Sequence, residues 1–289
     1  MPDALSDGFA TMKLSQSDFR DLGNFIHSRM GIKMPDIKRG MIESRLRKRV
    51  SQLGMDSYSE YCRYLFSHQG MDDELSHFID VITTNKTDFF RESHHFEYLL
   101  STALPDLVSR NGTGVVRKLM AWSSACSRGD EPYTLAMILS EYARVQPGFD
   151  FSILATDIST KVLDTALAGI YDAQLINPVP MEFRKRYLLK SKDKTKNLVR
   201  IRPELRRKIM FRQLNLMDND FRIRQNMDIL FCRNVIIYFD KPTTERLLVK
   251  LCNKLVPGGY LFMGHSELLD CNLLPVVPVA PTIYKRIEA

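Results

Sequence analysis

W-S-S-A-C-S-R-G-D-E-P-Y-T, residues 122–134, is the stretch whose reading decides the fold. A segment that reads as a strand runs from Val115 to Trp122 and small residues follow. Gly129 frees the backbone, and Pro132 sits in the first turn of a helix, where its missing N–H costs nothing. Strand, small-residue loop and helix start, in that order, mark where α/β proteins hold a nucleoside-bearing cofactor. Gly129 stands where backbone would pass close to such a ligand. Asp130 and Glu131 lie in front of the helix N-terminus, where a phosphate would otherwise meet bare N–H groups. Two carboxylates repel phosphate and favour a ligand with a positive end. S-adenosylmethionine has a sulfonium, an ammonium and no phosphate, and Glu131 would face its methionine part. The bland alternative is that both acids simply complement the helix dipole.

Outward from this stretch, strands and helices alternate. Residues 115–122 read as a strand, 132–145 as a helix, 151–156 as a strand and 161–168 as a helix. Residues 227–231 read as a strand and 242–255 as a helix; V-P-G-G at 256–259 reads as a tight turn into a strand at 260–263, and 281–286 as a last strand. The expected fold class is α/β, a doubly wound, mostly parallel sheet. Apolar runs at 198–201 and 209–211 suggest a small antiparallel β-subdomain inserted over about 186–214. Upstream, residues 14–90 read as short helices. Ser15 or Ser17 caps the series Phe19, Leu22, Phe25, Ile26, which stops at Gly31. Asp36 would cap a helix over 37–53 whose Ile42, Leu46, Val50 and Leu53 form one buried stripe. Residues 1–92 are thus expected to be an all-helical docking domain and linker, and residues 93–289 the cofactor-binding domain.

The 289 residues are 44% hydrophobic and 26% charged, enough for two ordinary globular cores. The start is acidic and broken by Pro2 and Gly8, unlike a signal peptide, and no apolar run approaches the ~20 residues of a membrane span. Five cysteines without a C-x-x-C pair argue against a disulfide scaffold or a metal site, and for a cytoplasmic protein. The formal net charge of +7 is uneven. Residues 20–49 hold nine basic side chains against Asp21, Asp36 and Glu43; residues 184–212 hold thirteen against Asp193 and Glu204. Lys38, Arg45 and Arg49 share one flank of the second helix, within about 40° at 3.6 residues per turn. Such blocks attract nucleic acid, an acidic protein surface or a membrane, or merely solvate a lysine-rich face.

Four further places carry candidate chemistry. T-T-N-K-T-D-F-F-R-E, residues 83–92, offers the amide of Asn85, the hydroxyl of Thr87 and the guanidinium of Arg91 within one short segment. Asp157 ends the second strand, where such folds place an acid on ribose hydroxyls, or where an ordinary helix cap would stand. Asn215-Leu216 would flank an adenine, or form a plain turn. F-C-R-N-V-I-I-Y-F, residues 231–239, brings Arg233, Asn234 and Tyr238 to a strand end. A buried Arg and Asn there would need partners, and Tyr238 could equally be a core tyrosine.

In order and spacing these motifs resemble one family. T-N-K-T-D-F-F-R-E at 84–92, A-C-S-R-G-D-E-P-Y-T at 125–134, Asp157, Asn215-Leu216, residues 231–239 and K-L-V-P-G-G-Y-L-F-M-G-H-S-E at 254–267 span nearly the whole chain. They are similar to the chemotaxis-receptor methyltransferases, the CheR-type protein-glutamate O-methyltransferases. The resemblance implies a helical N-terminal domain joined to an α/β S-adenosylmethionine domain with a small β insertion. It places cofactor contacts on Asn85, Thr87, Arg91, Glu131, Asp157, Asn215, Leu216, Arg233 and Asn234, and sets Arg91 and Tyr238 nearest the methyl transfer. The implied reaction converts specific glutamates on the cytoplasmic helices of chemotaxis receptors to γ-glutamyl methyl esters, with S-adenosylhomocysteine as product, for sensory adaptation. The implied location is the cytoplasm, with recruitment to membrane-bound receptor arrays. Lys38, Arg45 and Arg49 would grip the acidic receptor surface. Two departures stand out. The usual S-T-G-E-E reads S-R-G-D-E at 127–131, which keeps Glu131 and adds the cation of Arg128. The loop K-S-K-D-K-T-K-N at 190–197 lacks the glycine often used to tether a receptor C-terminal peptide on the β-subdomain, so that tether stays open.

Two other readings compete. A nucleic-acid methyltransferase is suggested by the basic block at 184–212. Against it stand the absence of an Asn/Asp-Pro-Pro-Tyr turn after the fourth strand and the scarcity of stacking aromatics there, Tyr187 and Phe211. A non-catalytic adaptor that senses S-adenosylmethionine is the second. The expectation is an enzyme with no metal, no nucleic-acid partner and no membrane insertion.

Overall fold

A computed structural model describes residues 12–193 and 195–287. The acidic start at 1–11, Lys194 of the 190–197 loop and residues 288–289 lie outside the described residues. The chain divides into two compact units, Met1–Thr84 with Tyr238–Asp240, and Asn85–Ile237 with Lys241–Ala289.

The first unit is helical. α1, Gln16–Met30, starts at Ser15, whose Oγ accepts from the Asp18 N–H at 3.0 Å, and ends at Gly31 with φ 71°. Phe19, Leu22, Ile26 and Met30 recur every three or four residues and are buried, which is why the segment is an amphipathic helix. A 3₁₀ turn, Asp36–Lys38, leads into α2, Arg39–Gln52. Asp36 therefore opens a 3₁₀ turn behind Pro35 instead of capping the α-helix. Ile42, Leu46 and Val50 form the buried stripe, while Leu53, at the C-cap, is only partly covered. α3, Tyr58–Leu65, α4, His68–Asp73, and α5, Leu75–Ile82, complete the unit. Tyr238–Asp240 belong with it: the Lys33 N–H donates to the Tyr238 carbonyl at 2.9 Å, Ile32 bridges to Phe239, and His27 Nε2 lies 2.6 Å from Asp240 Oδ2.

The second unit opens with α6, Ser93–Tyr98, which continues through a π turn, Leu99–Ala103, into α7, Leu104–Asn111. The alternation then runs β1 Leu119–Ser124, α8 Asp130–Val145, β2 Phe151–Asp157, α9 Thr160–Ala168, β3 Ile170–Asp172, α10 Met181–Tyr187, β4 Leu188–Lys190, β5 Leu198–Ile201, α11 Pro203–Arg206, β6 Ile209–Gln213, β7 Met227–Cys232, α12 Lys241–Lys254, β8 Leu255–Met263, β9 Val276–Ala280 and β10 Ile283–Arg286. The main sheet has the order β6-β2-β1-β7-β8-β10-β9. Its first five strands are parallel, and β10 and β9 close it antiparallel. This is the α/β, doubly wound sheet expected. Its core includes fully buried Trp122, Tyr133, Phe151, Phe231 and Phe262. Phe231 stacks on Phe262 at 4.3 Å and on Phe96 at 5.8 Å.

Three local expectations change. The strand at 209–211 is not part of the insertion: β6 pairs parallel with β2, Ile153 opposite Ile209, and Phe211 packs 5.8 Å from Tyr133 of α8. The small antiparallel sheet is instead β3-β5-β4, so it begins at Ile170 and ends at Ile201, not at about 186–214. V-P-G-G at 256–259 is not a turn but lies inside β8. The register with β7 slips between Met227↔Leu255 and Ile229↔Tyr260, so the extra residues bulge, with Gly258 at φ 75°. β9 was not expected because Pro278 interrupts it; at a sheet edge a proline needs no ladder partner.

Candidate active site

β2 and β7 flank β1 on opposite sides, so the strand order reverses there and a crevice is expected beyond the C-terminal ends of these strands. The β1–α8 loop places three residues in the left-handed region, Ala125 at φ 54°, Ser127 at φ 50° and Gly129 at φ 97°. Hydrogen bonds to β2 hold this strained path. The Cys126 N–H donates to the Thr156 carbonyl at 2.9 Å, and the Ser127 N–H to Asp157 Oδ2 at 2.8 Å. A Cβ at Gly129 would lie 2.9 Å from both Ala166 Cβ and Tyr171 Oη. The glycine is thus required by its φ and by packing toward the protein.

Asp157 is buried and also accepts from the Ser159 N–H at 3.0 Å. Glu131 is buried at the start of α8, where Oε1 accepts from Ser123 Oγ at 2.6 Å and Oε2 from Arg233 Nε at 2.7 Å. Arg233, at the end of β7, also donates through Nη1 to the Arg91 carbonyl at 2.7 Å and to His95 Nδ1 at 3.1 Å. Its guanidinium lies over Phe96 and Phe231, and Glu92 Oε2 stands 3.5 Å from Nη1. Because arginine only donates, His95 Nδ1 must accept, so Nε2 carries the proton and donates to Thr282 Oγ1 at 2.9 Å. Burial and the neighbouring Arg233 push the His95 pKa down to about 3, which keeps the ring neutral.

Glu92 and Glu131 share this one buried guanidinium. Glu92 Oε2 is buried without a hydrogen bond, and no described residue accepts from Arg233 Nη2. The cluster therefore offers a carboxylate oxygen without a hydrogen bond, 3.5 Å from Arg233 Nη1, and a guanidinium Nη2 with no acceptor among the described residues. That pair suits a zwitterionic amino-acid group, ammonium to the acid and carboxylate to the guanidinium. S-adenosylmethionine carries such a group, so the donor set fits it.

The other expected residues are placed as follows. Asn85 accepts at its carbonyl from Ser127 Oγ at 3.3 Å, and the Thr87 carbonyl from Arg128 Nη2 at 2.9 Å. Arg128 also forks onto the buried Asp130, with Nε to Oδ2 at 3.0 Å and Nη2 to Oδ1 at 3.1 Å. The Arg128 cation of the S-R-G-D-E variant is thus a strut between the 85–91 segment and the helix start. Arg91 has one long hydrogen bond, to the Lys86 carbonyl at 3.2 Å, and its side chain is 33% exposed. Asn234 sits at φ 59° and donates through Nδ2 to Glu92 Oε1 at 3.3 Å. Asn215 Oδ1 accepts from the Met217 N–H at 3.0 Å, and Leu216 is buried. Tyr238 groups with the helical unit, where Lys38 Nζ stands 5.9 Å from its ring centroid.

The basic stripe on α2 is largely spent inside the helical unit. Arg49 binds the buried Glu74 through Nε at 2.9 Å and Nη2 at 2.5 Å, and Arg45 donates to the carbonyls of Ile82 and Thr83 and to Thr84 Oγ1. Lys38 donates to the Lys33 carbonyl at 3.1 Å. Exposed charge on this helix resides on Arg39, Arg47 and Lys48. Sequence reasoning passed over His95, and it quoted Glu92 and Glu267 inside motifs without giving them roles. For His95 the only local signal was its place just after F-F-R-E. Among the described residues, no group of His, Cys, Asp and Glu could hold a metal, and no helix is long and apolar enough to cross a membrane.

Comparison with known proteins bears on the same regions. The family described as CheR methyltransferase, SAM binding domain, matches residues 85–279, and the CheR methyltransferase all-alpha domain matches residues 17–83. The chain is 38% identical to the chemotaxis protein methyltransferase of Salmonella typhimurium over 89% of this chain and 85% of that one. It is 35% identical to the one of Borreliella burgdorferi, covering 95% of this chain and 96% of its relative. Against the Escherichia coli protein of the same name the identity is 38%, over 89% of this chain and 86% of that one.

Proposed function

The chain belongs to the CheR methyltransferase family, and from that premise we propose that it methylates glutamate side chains on the cytoplasmic helices of chemotaxis receptors. S-adenosylmethionine, when bound, supplies a methyl group on a sulfonium. The acceptor glutamate needs no general base, because a carboxyl of pKa ~4.3 is already ionised near pH 7. Catalysis then rests on alignment and on excluding water.

The buried charge cluster supports the roles given to Arg233, Glu131 and Glu92; the other roles follow the family resemblance. Arg233 and Glu131, with Glu92 behind them, hold the amino-acid end of the cofactor. Asp157 takes the ribose, and Asn215 with Leu216 flanks the adenine. Asn85, Thr87 and Asn234 complete the pocket wall. Arg91 orients the acceptor carboxylate: one long hydrogen bond to the Lys86 carbonyl and a 3.9 Å approach to Glu92 Oε1 hold its partly exposed fork, which a planar carboxylate would suit. Tyr238 lines the transfer site. The observation that carries the reading is the buried Glu92–Arg233–Glu131 cluster, in which Glu92 Oε2 is left without a hydrogen bond. Receptor docking on α2 is proposed for its exposed Arg47 and Lys48, since Arg45 and Arg49 of the Lys38/Arg45/Arg49 stripe are engaged internally.

The test is incubation of the protein with methyl-labelled S-adenosylmethionine and receptor-rich membranes. Base-labile label on the receptor is expected, because a glutamyl ester hydrolyses where an N-methyl group does not. Base-stable label, or label in added DNA or RNA, would reject the ester reaction. Arg91→Lys should cut turnover by roughly tenfold or more, since a point charge cannot reproduce the planar fork; full turnover would remove Arg91 from that role.

A further inference from the structure

Glu267 lies in the loop after β8, within G-H-S-E, and is 2% exposed. No cation pairs with its carboxylate among the described residues. Its partners are backbone. Oε2 accepts from the Asn234 N–H at 2.7 Å and the Gly264 N–H at 2.8 Å, and Oε1 from the Ile237 N–H at 3.3 Å. A carboxylate taken out of water without a counter-charge is costly, and here burial raises its pKa despite the amide donors. What this arrangement holds is a short piece of chain that would not hold itself. Asn234 is in the left-handed region at φ 59°, an unfavourable conformation for a non-glycine residue. Gly264 makes the approach possible: a Cβ there would lie 2.6 Å from Asn234 Nδ2, 2.6 Å from Glu267 Oε2 and 2.7 Å from the Asn234 nitrogen.

The clamped residues, 234–237, are the four that separate Arg233 from Tyr238 in the chain. One end of that segment joins the guanidinium that binds Glu131, and the other leads directly into the tyrosine. We propose that Glu267 is a positioning residue for methyl transfer, a carboxylate clamp that sets the backbone path from Asn234 to Ile237. The inference rests on the proposed reading, in which Arg233 and Asn234 hold the cofactor and Tyr238 lines the transfer site. Glu267 reaches neither directly. It acts through backbone amide hydrogens, that of Val235 included, so its removal should disturb alignment more than affinity.

The experiment compares wild-type protein with Glu267→Gln, Glu267→Ala and Gly264→Ala. It measures kcat and KM for receptor membranes, S-adenosylhomocysteine binding by calorimetry, and thermal melting. Glutamine keeps one oxygen acceptor but turns an NH₂ toward a backbone donor, so kcat should fall about tenfold. Alanine removes the clamp, and kcat should fall on the order of 100-fold, as expected for a shift of about 1 Å at a reacting centre. KM and the product's Kd should each move less than about threefold. Gly264→Ala should mimic the glutamine variant by forcing the carboxylate away. A purely structural role would lower melting temperatures in the same order while leaving kcat per folded molecule unchanged, and that result overturns the proposal. Equal losses in kcat and in product affinity overturn it as well, because they would make Glu267 a cofactor-pocket wall. Should Glu267→Ala fail to fold, the glutamine and Gly264→Ala variants decide, and wild-type kcat in both rejects the clamp. Wild-type protein that takes up no S-adenosylhomocysteine, or methylates nothing, would instead reject the functional reading itself.

Discussion

Two arginines that bind buried glutamates, one in each unit, have opposite accounts. In the helical unit Glu74 is 1% exposed and spends both oxygens: Oε1 accepts from Arg49 Nε and from Tyr61 Oη at 2.9 Å each, and Oε2 from Arg49 Nη2. Nothing is left over for a ligand, and the pair ties α2 to the start of α5. In the α/β unit, Arg233 meets two glutamates and a neutral histidine, yet Glu92 Oε2 is left without a hydrogen bond. A saturated pair is architecture, whereas an unsaturated one, as costly to bury, makes sense only if something else completes it. A cation already engaged with a buried acid has little field to offer a partner, which bears on Arg49 of the basic stripe.

The contrast can be broken most forcefully at the saturated pair. Glu74→Ala removes the buried acceptor of the half-covered Arg49 and of Tyr61 and should destabilise the helical unit by about 2–3 kcal/mol, read as a lower melting transition. Binding of S-adenosylhomocysteine to the α/β unit should persist at temperatures below that transition. If Glu74→Ala melts with wild-type protein, the pair is ornamental and the argument from saturation fails. At the unsaturated pair, Arg233→Lys keeps a charge but loses the fork that spans Glu131, the Arg91 carbonyl and His95. Losing charged hydrogen bonds worth about 2 kcal/mol should weaken S-adenosylhomocysteine binding roughly 30-fold by calorimetry. Unchanged affinity would mean that the cluster, too, is only architecture.

His95 sharpens the same contrast through pH. Its pKa is depressed in the folded protein, to about 3 from an ordinary 6.5, by burial first and by Arg233, His94 and His265 next; Glu92 and Thr282 also face the ring. The unfolded chain therefore takes up a proton below pH 6.5 that the folded protein refuses. Stability is fully present above the unfolded value and is lost as pH falls toward the folded one. At 1.36 kcal/mol per unit, about 2 kcal/mol should be gone by pH 5 from this group alone. His95→Phe cannot be protonated, so denaturant titrations between pH 7 and 5 should show a flatter curve for that variant. Parallel curves would show that His95 is not buried as a neutral acceptor.

Much of the scaffold is locally encoded and was legible. Ser15, the apolar spacing of α1 and Gly31 define a helix within sixteen or so neighbours, and the small-residue loop of 124–129 announces a strand–helix crossover without any knowledge of partners. Candidate positions such as Glu131, Asp157 and Arg233 were legible for the same reason, since each ends a strand or starts a helix. What could not be read is who pairs with whom. Arg49 and Glu74 are 25 residues apart and Arg233 and Glu131 are 102 apart, so no window of sequence reveals that the first pair is closed and the second open. β6 was misassigned for a related reason. I-M-F-R-Q has no intrinsic preference between a small antiparallel sheet and the edge of a large parallel one; its pairing with β2 decides.

The smallest effect on the fold, and the finest use of the contrast, concerns the exposed charges of α2. Arg47 and Lys48 are exposed and make no ion pair among the described residues, so reversing both to glutamate should change stability by no more than about 0.5 kcal/mol. Their field is unspent, and surface charge acts on encounter and salt dependence more than on chemistry. The doubly reversed protein should raise KM for receptor membranes severalfold, lose most of the salt dependence of that KM, and keep wild-type kcat. Arg45→Ala supplies the converse, because its guanidinium caps the end of α5 at Ile82, Thr83 and Thr84. It should lower the melting transition and leave the salt dependence of KM intact. Were Arg45→Ala to shift the salt dependence while the double reversal did not, the engaged arginine would be the receptor contact. The rule separating spent charges from free ones would then fail on this helix.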